Sequence, residues 1–216
     1  LVGVLSFKTI YSLIHRGFLA VTEKVLRRKG KKPGTQEKRG RFNVKKTIKD
    51  RPQEVENRET FGHWELDTMV SSRGQSKGCL ATFVERKTRF YIAIKMDDRS
   101  KDSMFLAISS LYNTLTSKLL KTFTVDRGKE FACFEQVETE FGIPMYFADA
   151  YAAWQRGSNE NSNGLLREFF PKKTDLAKVT LDKLTEALVL INNRPRKCLG
   201  FKTPFDMFKH EIKKLI

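Results

Sequence analysis

The sequence predicts an α/β domain, a mixed five-stranded sheet flanked by helices, carried behind a basic N-terminal arm. Three observations predict it. Short runs rich in β-branched and aromatic residues alternate with stretches of helical period, in the order β-β-β-α-β-α-β-α. With 40% apolar residues and 17 phenylalanines, 216 residues suffice for one packed core plus an appendage. Positive charge is uneven: residues 1–60 hold 16 Lys+Arg against 6 Asp+Glu, within a net charge of +16 for the whole chain.

Residues 1–22 are expected to hold a short helical segment. Ser6 is placed to cap it, and Phe7, Ile10, Tyr11 and Ile14 fall at i, i+3, i+4 and i+7. This is a packing helix or the remnant of a helix-turn-helix begun upstream, because a chain starting at Leu1 reads as a fragment or processed form. Residues 23–57 read as a basic linker or arm. Arg27, Arg28, Lys29, Lys31 and Lys32 are its densest part. Such a stretch is too polar to fold alone and is expected to order on a phosphate backbone or to act as a solvated tether.

The catalytic-type core is expected over residues 58–216. Strands are predicted at 64–70, 79–86 and 89–95, joined closely enough for an antiparallel meander, with turn chemistry at 71–78. A helix follows at 102–117, with Phe105, Ile108, Leu111, Tyr112 and Leu115 on one face. A fourth strand ends at Asp126. A helix at 131–141 stops at Gly142-Ile143-Pro144, and a fifth strand covers 145–148. Helices are then expected at 159–169, 181–192 and 204–210.

Charge asymmetry points to a polyanionic partner, nucleic acid ahead of an acidic membrane. Cys79, Cys133 and Cys198 are odd in number and far apart, which speaks for buried thiols in a reducing compartment and against a disulfide framework or zinc site. His15, His63 and His210 show no metal-ligand spacing. No apolar run nears the ~20 residues of a bilayer span, and no secretory leader pattern is present.

Three acids carry the chemistry. Asp67 lies inside a predicted strand, Asp126 ends another before Arg127-Gly128, and Glu160 follows 34 positions later where a Gly/Ser/Asn turn enters a helix. Aspartate is poorly suited to a strand centre and costly to bury alone, so a cation, an ion pair or solvent must answer it. Carboxylates on rigid elements in a basic protein suit divalent ions set against a phosphodiester, two of them about 4 Å apart in the fullest arrangement. Nearby, Lys129 and Arg156 read equally as phosphate clamps and as neutralising partners of the acids. Glu65 shares the Asp67 face of its strand, and His63 and Trp154 read as packing residues. Asn159, Asn161 and Asn163 read first as helix-capping residues, then as groups that orient Glu160 or touch DNA.

Four blocks go further. They are Gly62-His63-Trp64-Glu65-Leu66-Asp67, Asp126-Arg127-Gly128-Lys129-Glu130-Phe131, Trp154-Gln155-Arg156-Gly157-Ser158-Asn159-Glu160-Asn161-Ser162-Asn163-Gly164, and Asn192-Asn193-Arg194-Pro195 through Pro204. In this order they resemble the bacterial insertion-sequence transposases of the insertion-sequence-thirty family. The resemblance spans residues 58 to 208 and implies a ribonuclease-H-like integrase core with Asp67, Asp126 and Glu160 as the catalytic, metal-binding DDE triad. It implies two Mg²⁺ or Mn²⁺ ions, cleavage at transposon ends, and strand transfer by the freed 3′ hydroxyl. The implied partners are double-stranded DNA, as terminal repeats and target, and further copies of the chain on that DNA, in a bacterial cytoplasm at the nucleoid. His63, Leu66 and Arg127 depart from the family's usual Asp, Gly and Asn. The alternatives are a transposase-derived regulator that binds without cutting, or another ribonuclease-H-like nuclease.

Overall fold

A computed structural model of the chain describes residues 5–22, 25–26, 44–72, 76–149 and 152–215. It divides into two compact units, Leu1–Gly40 and Arg41–Ile216. The first contains α1 (Phe7–His15), capped as expected by Ser6, whose Oγ accepts from Thr9 N at 3.2 Å. No residue of α1 is buried, and Phe7, Ile10 and Tyr11 are about half exposed. The basic cluster Arg27, Arg28, Lys29, Lys31 and Lys32 lies outside the described residues.

The second unit is built on five strands: β1 (His63–Val70), β2 (Cys79–Glu85), β3 (Tyr91–Met96), β4 (Thr122–Val125) and β5 (Met145–Phe147). Their order across the sheet is β3-β2-β1-β4-β5. The first three form the antiparallel meander, with Asp67 opposite Thr82 and Thr82 opposite Ala93. β4 pairs parallel to β1, and β5 parallel to β4. Parallel neighbours need a crossover, and α3 (Lys101–Thr114) and α4 (Phe134–Phe141) supply the two.

Strand alternation divides the core into two layers. Trp64, Leu66, Phe83 and Phe123 pack with Met104, Ile108 and Leu111 of α3 and Val137 of α4. Each such large apolar side chain contributes about 1.5–3 kcal/mol when fully buried. Phe208 of α7 (Pro204–Lys213) joins this layer, stacked on Phe90 and edge-on to Trp64. Met69, Leu80 and Val84 face the other way, against α5 (Gly157–Phe169) and α6 (Leu181–Asn192), through Leu165, Leu166, Leu184 and Ile191. No helix among the described residues is long and apolar enough to cross a membrane.

The structure moves one boundary. The linker expected to run to residue 57 ends earlier, because the compact unit starts at Arg41. Phe147 N donates to Lys46 O at 3.1 Å, which lays this segment along β5. Arg51 is buried, donates to Thr124 Oγ1 at 3.1 Å and pairs with Glu56. Val55, within the short helix α2 (Gln53–Asn57), is fully buried. Its charged residues find partners 73 to 92 positions away, which local polarity does not reveal.

Candidate active site

The β1–β4 ladder is recorded from His63↔Thr122 to Glu65↔Thr124. Two positions further along each strand stand Asp67 and Asp126. They therefore lie side by side where the β1–β4 pairing ends, β1 running on to Val70 and the other segment leading on toward β5. Open α/β sheets place ligands in such crevices, beyond the carboxyl ends of parallel strands.

One guanidinium holds both acids. Arg156 Nη1 is 3.4 Å from Asp67 Oδ2, and Nη2 is 3.3 Å from Asp126 Oδ2, while Nη1 also donates to Leu66 O at 3.3 Å. Burial pushes the Asp67 carboxyl above its ordinary range; Arg156 opposes the shift and Asp126 adds to it. The Asp126 turn is closed by Gly128 N, which donates to Asp126 Oδ1 at 2.8 Å. A Cβ on Gly128 would come within 2.5 Å of Glu130 Oε2, so a larger residue there would displace the Glu130 carboxylate. Glu130 is a fourth carboxylate near the crevice, buried, and accepts from Thr68 Oγ1 at 3.0 Å and Arg99 Nε at 2.6 Å.

Glu160 is placed by the docking of α5. Asn159, third in that helix, would leave an orphan N–H. Instead its N–H donates to Glu65 Oε2 at 2.9 Å, and its side-chain amide donates to Glu65 O and Thr82 O while accepting from Thr82 Oγ1. Glu65, fully buried, also pairs with Arg86. The negative carboxylate at the positive end of α5 adds to the hold. Asn159 thus docks the helix on the sheet and does not cap it. Arg156, Glu160 and Asn163 then fall at i, i+4 and i+7, on one stripe. The two outer members touch Asp67, Asn163 Nδ2 donating to Asp67 Oδ2 at 3.2 Å. Glu160 lies between them on the stripe and is exposed. Among the described residues no three His, Cys, Asp or Glu side chains stand close enough together to hold an ion, so Glu160 closes no ready-made cluster with the aspartates.

Arg156 makes the neutralising pairs with both Asp67 and Asp126. Lys129 is exposed at the start of the turn Lys129–Cys133. Trp154, expected to pack, is 77% exposed. Leu66 buries its side chain in the opposite layer, and Arg127 Nε donates to Ala148 O at 3.2 Å. His63 is structural as expected, buried with Nδ1 bonded to Thr122 Oγ1 at 2.8 Å. Cys198, expected to be buried, is exposed, while Cys79 and Cys133 are buried. Sequence reasoning missed the roles of Asn163 and Glu130. Their only signal was membership of the blocks around Glu160 and Asp126.

The donor set fits a hard divalent cation. Two carboxylates converge on one positive group, and that group opposes the desolvation of Asp67.

Comparison with known proteins agrees with this geometry. Residues 57–153 match the integrase core domain family, a span that stops short of Glu160. The chain is 36% identical over 213 residues to the transposase InsI of insertion sequence element IS30A from Escherichia coli (strain K12), covering 95% of this chain and 55% of that protein. It is 35% identical over 223 residues to the transposase of IS4351 from Bacteroides fragilis, covering 98% and 66%. The chain thus spans between about half and two thirds of the length of these relatives. Among solved structures, the catalytic core of BIV integrase superposes with a TM-score of 0.57 at 19% identity, over 73% of this chain and all of that one. The HTLV-2 integrase core in complex with magnesium gives 0.52 at 18% identity, over 68% and 95%. Both likenesses concern the fold. Four ordered sequence blocks, the ribonuclease-H-like sheet and these identities lead to one statement: the chain belongs to the IS30 family of insertion-sequence transposases and carries an integrase-type core.

Proposed function

We propose that this chain is the catalytic part of a DNA transposase that cuts at transposon ends and joins them to target DNA. The observation that carries the reading is the pair of carboxylates on neighbouring strands, Asp67 within β1 and Asp126 just past β4, drawn to one guanidinium at the start of the helix bearing Glu160. Asp67, Asp126 and Glu160 would hold Mg²⁺ or Mn²⁺, in the fullest case two ions. Bound there, the ions activate the attacking oxygen and stabilise the leaving one. In the first step a water oxygen attacks the scissile phosphorus, its proton passes to solvent, and the 3′ oxygen leaves as a hydroxyl. In the second, that 3′ hydroxyl attacks a target phosphodiester and expels the target's own 3′ oxygen.

The residues divide the remaining work. Glu65, Arg86 and Asn159 hold α5 against β1, which sets Glu160 beside the aspartates. Arg156, released from the acids as ions enter, is free to bind a phosphate oxygen. Lys129 is exposed three residues from Asp126 and suits the DNA backbone. The cluster Arg27, Arg28, Lys29, Lys31 and Lys32 would add contacts independent of sequence, each steepening the salt dependence of binding by about one unit. The proposed partners are terminal-repeat and target DNA and further copies of the chain assembled on them, in the bacterial cytoplasm at the nucleoid.

The direct assay incubates the protein with end-labelled element-end DNA and Mg²⁺ or Mn²⁺. Cleavage and joining are expected, with both lost in Asp126→Asn and Glu160→Gln. Persistent cleavage in Asp126→Asn would overturn the mechanism. A protein that binds the ends and never cuts them would be the regulator instead.

A further inference from the structure

Asp67 is held from the α5 side by a chain of polar groups that reaches the far edge of the sheet. Asn163 Nδ2 donates to Asp67 Oδ2 at 3.2 Å, and Asn163 Oδ1 accepts from the Tyr91 hydroxyl at 2.7 Å. Tyr91 begins the edge strand β3 and is 1% exposed. A single side chain takes both of its backbone groups: Asn192 Oδ1 accepts from Tyr91 N at 2.9 Å, and Asn192 Nδ2 donates to Tyr91 O at 2.8 Å. Asn192 is buried, ends α6 and opens the Asn192-Asn193-Arg194-Pro195 block, to which the proposed chemistry gave no task.

Chemistry fixes the direction of each bond. An ionised carboxylate only accepts, so Asn163 must turn its NH₂ toward Asp67 and its oxygen toward Tyr91. Burial first, and the Asp67 charge second, keep the Tyr91 phenol protonated well above its ordinary range, so its O–H donates. A phenol on one side and a carboxylate on the other leave the amide one satisfied orientation. Tyr91 is in turn fixed by two backbone bonds to Asn192, which leave its ring little freedom to follow a shift of the helix.

We infer that Asn163 is a positioning residue for Asp67, locked in orientation by Tyr91 and, through the backbone of Tyr91, by Asn192. This deepens the proposed function and rests on it, because it takes Asp67 to be a metal-holding carboxylate. Asn163 falls one turn after Glu160, so the same bond also fixes the spacing of two triad acids.

The test measures Mn²⁺ binding by the full chain, by paramagnetic resonance titration, with thermal unfolding as the control for folding. The variants are Asp67→Asn, Tyr91→Phe, Asn163→Leu and the double variant Tyr91→Phe/Asn163→Leu. Asn163→Ala replaces Asn163→Leu if the larger side chain does not fold. Tyr91→Phe removes one oxygen that does not touch Asp67, and is expected to weaken Mn²⁺ binding about three- to tenfold, as loss of one neutral hydrogen bond does. Asn163→Leu should weaken it more, and the double variant no further, if Tyr91 acts on Asp67 through Asn163. In DNA cleavage, kcat should fall in Tyr91→Phe with KM for DNA unchanged. Losses that multiply in the double variant, or wild-type Mn²⁺ affinity in Tyr91→Phe, overturn the inference. If Asp67→Asn abolishes Mn²⁺ binding while the other variants bind as wild type, the relay alone fails. If Asp67→Asn binds as wild type, the metal reading of Asp67 fails, and the relay fails with it.

Discussion

Glu65 and Asp67 stand two residues apart on one face of β1, and the fold treats them in opposite ways. Glu65 is fully buried, has Arg86 as a partner and accepts a helix N–H from Asn159. Asp67 is partly exposed and shares a single guanidinium with Asp126. The first arrangement is closed: charge is matched and the carboxylate oxygens are engaged. The second sets one guanidinium against two carboxylates. The carboxylate that ties α5 to the sheet has its own counter-charge, whereas the pair proposed for chemistry shares Arg156.

Breaking the closed member should cost the most. Glu65→Gln strands Arg86 in the interior and loosens the start of α5, so unfolding by denaturant should show a loss of about 3–5 kcal/mol, the usual result of removing one partner of a buried pair. Wild-type stability in that variant would mean the Arg86 pair is incidental.

His63, two residues before Glu65 on the same face, gives the next effect through pH. Burial depresses its pKa from 6.5 to about 4. Above pH 6.5 the imidazole is neutral in both folded and unfolded chains. Between 6.5 and about 4 the unfolded chain takes up a proton that the folded one refuses, so stability falls as the pH falls, by at most about 3 kcal/mol in all. His63→Gln should flatten that slope in unfolding curves recorded from pH 8 to 4.

The open member should behave the other way in stability. Asp67→Asn relieves a carboxylate raised by burial and by Asp126, so its melting curve should match the wild type or exceed it by up to about 1 kcal/mol, even as cleavage disappears. A large destabilisation would place Asp67 with Glu65 as a structural acid. The smallest effect belongs to the thiols. Cys79 and Cys133 are pushed up to about 12 by burial, so a thiol reagent at pH 8 should label Cys198 alone in the native protein, with little change in stability.

Much of this was legible in the sequence because the signals are local. Alternation put Glu65 on the Asp67 face of β1, and the bounds of α6 fell at 181–192 as expected. The three acids were singled out by the blocks around them, and two of them, Asp67 and Asp126, meet at Arg156. What escaped depends on contacts between distant residues. Nothing near Tyr91 announces a partner 101 positions on, and nothing near Asn163 shows that it turns toward Asp67, 96 positions back. The stretch from Val44 to Asn57 read as linker because its composition is polar, yet Arg51 is buried beside β4 and Val55 beneath Arg86, whose Nε donates to Val55 O. Asn159 read as a cap because Asn caps are common, and the docking on Glu65 needed the sheet to be seen.

The grip of Asn192 on Tyr91 also bears on how the protein behaves in solution. A sheet of this order has two margins, β3 and β5, and each margin with open amides is a template on which a second chain can add a strand. Beside Tyr91 the amide of Asn192 occupies those groups, and beside Phe147 the Lys46 carbonyl occupies the N–H. Replacing Asn192 by alanine would uncover the β3 margin at that point. The first sign would be concentration-dependent self-association, detectable by light scattering before any loss of the fold.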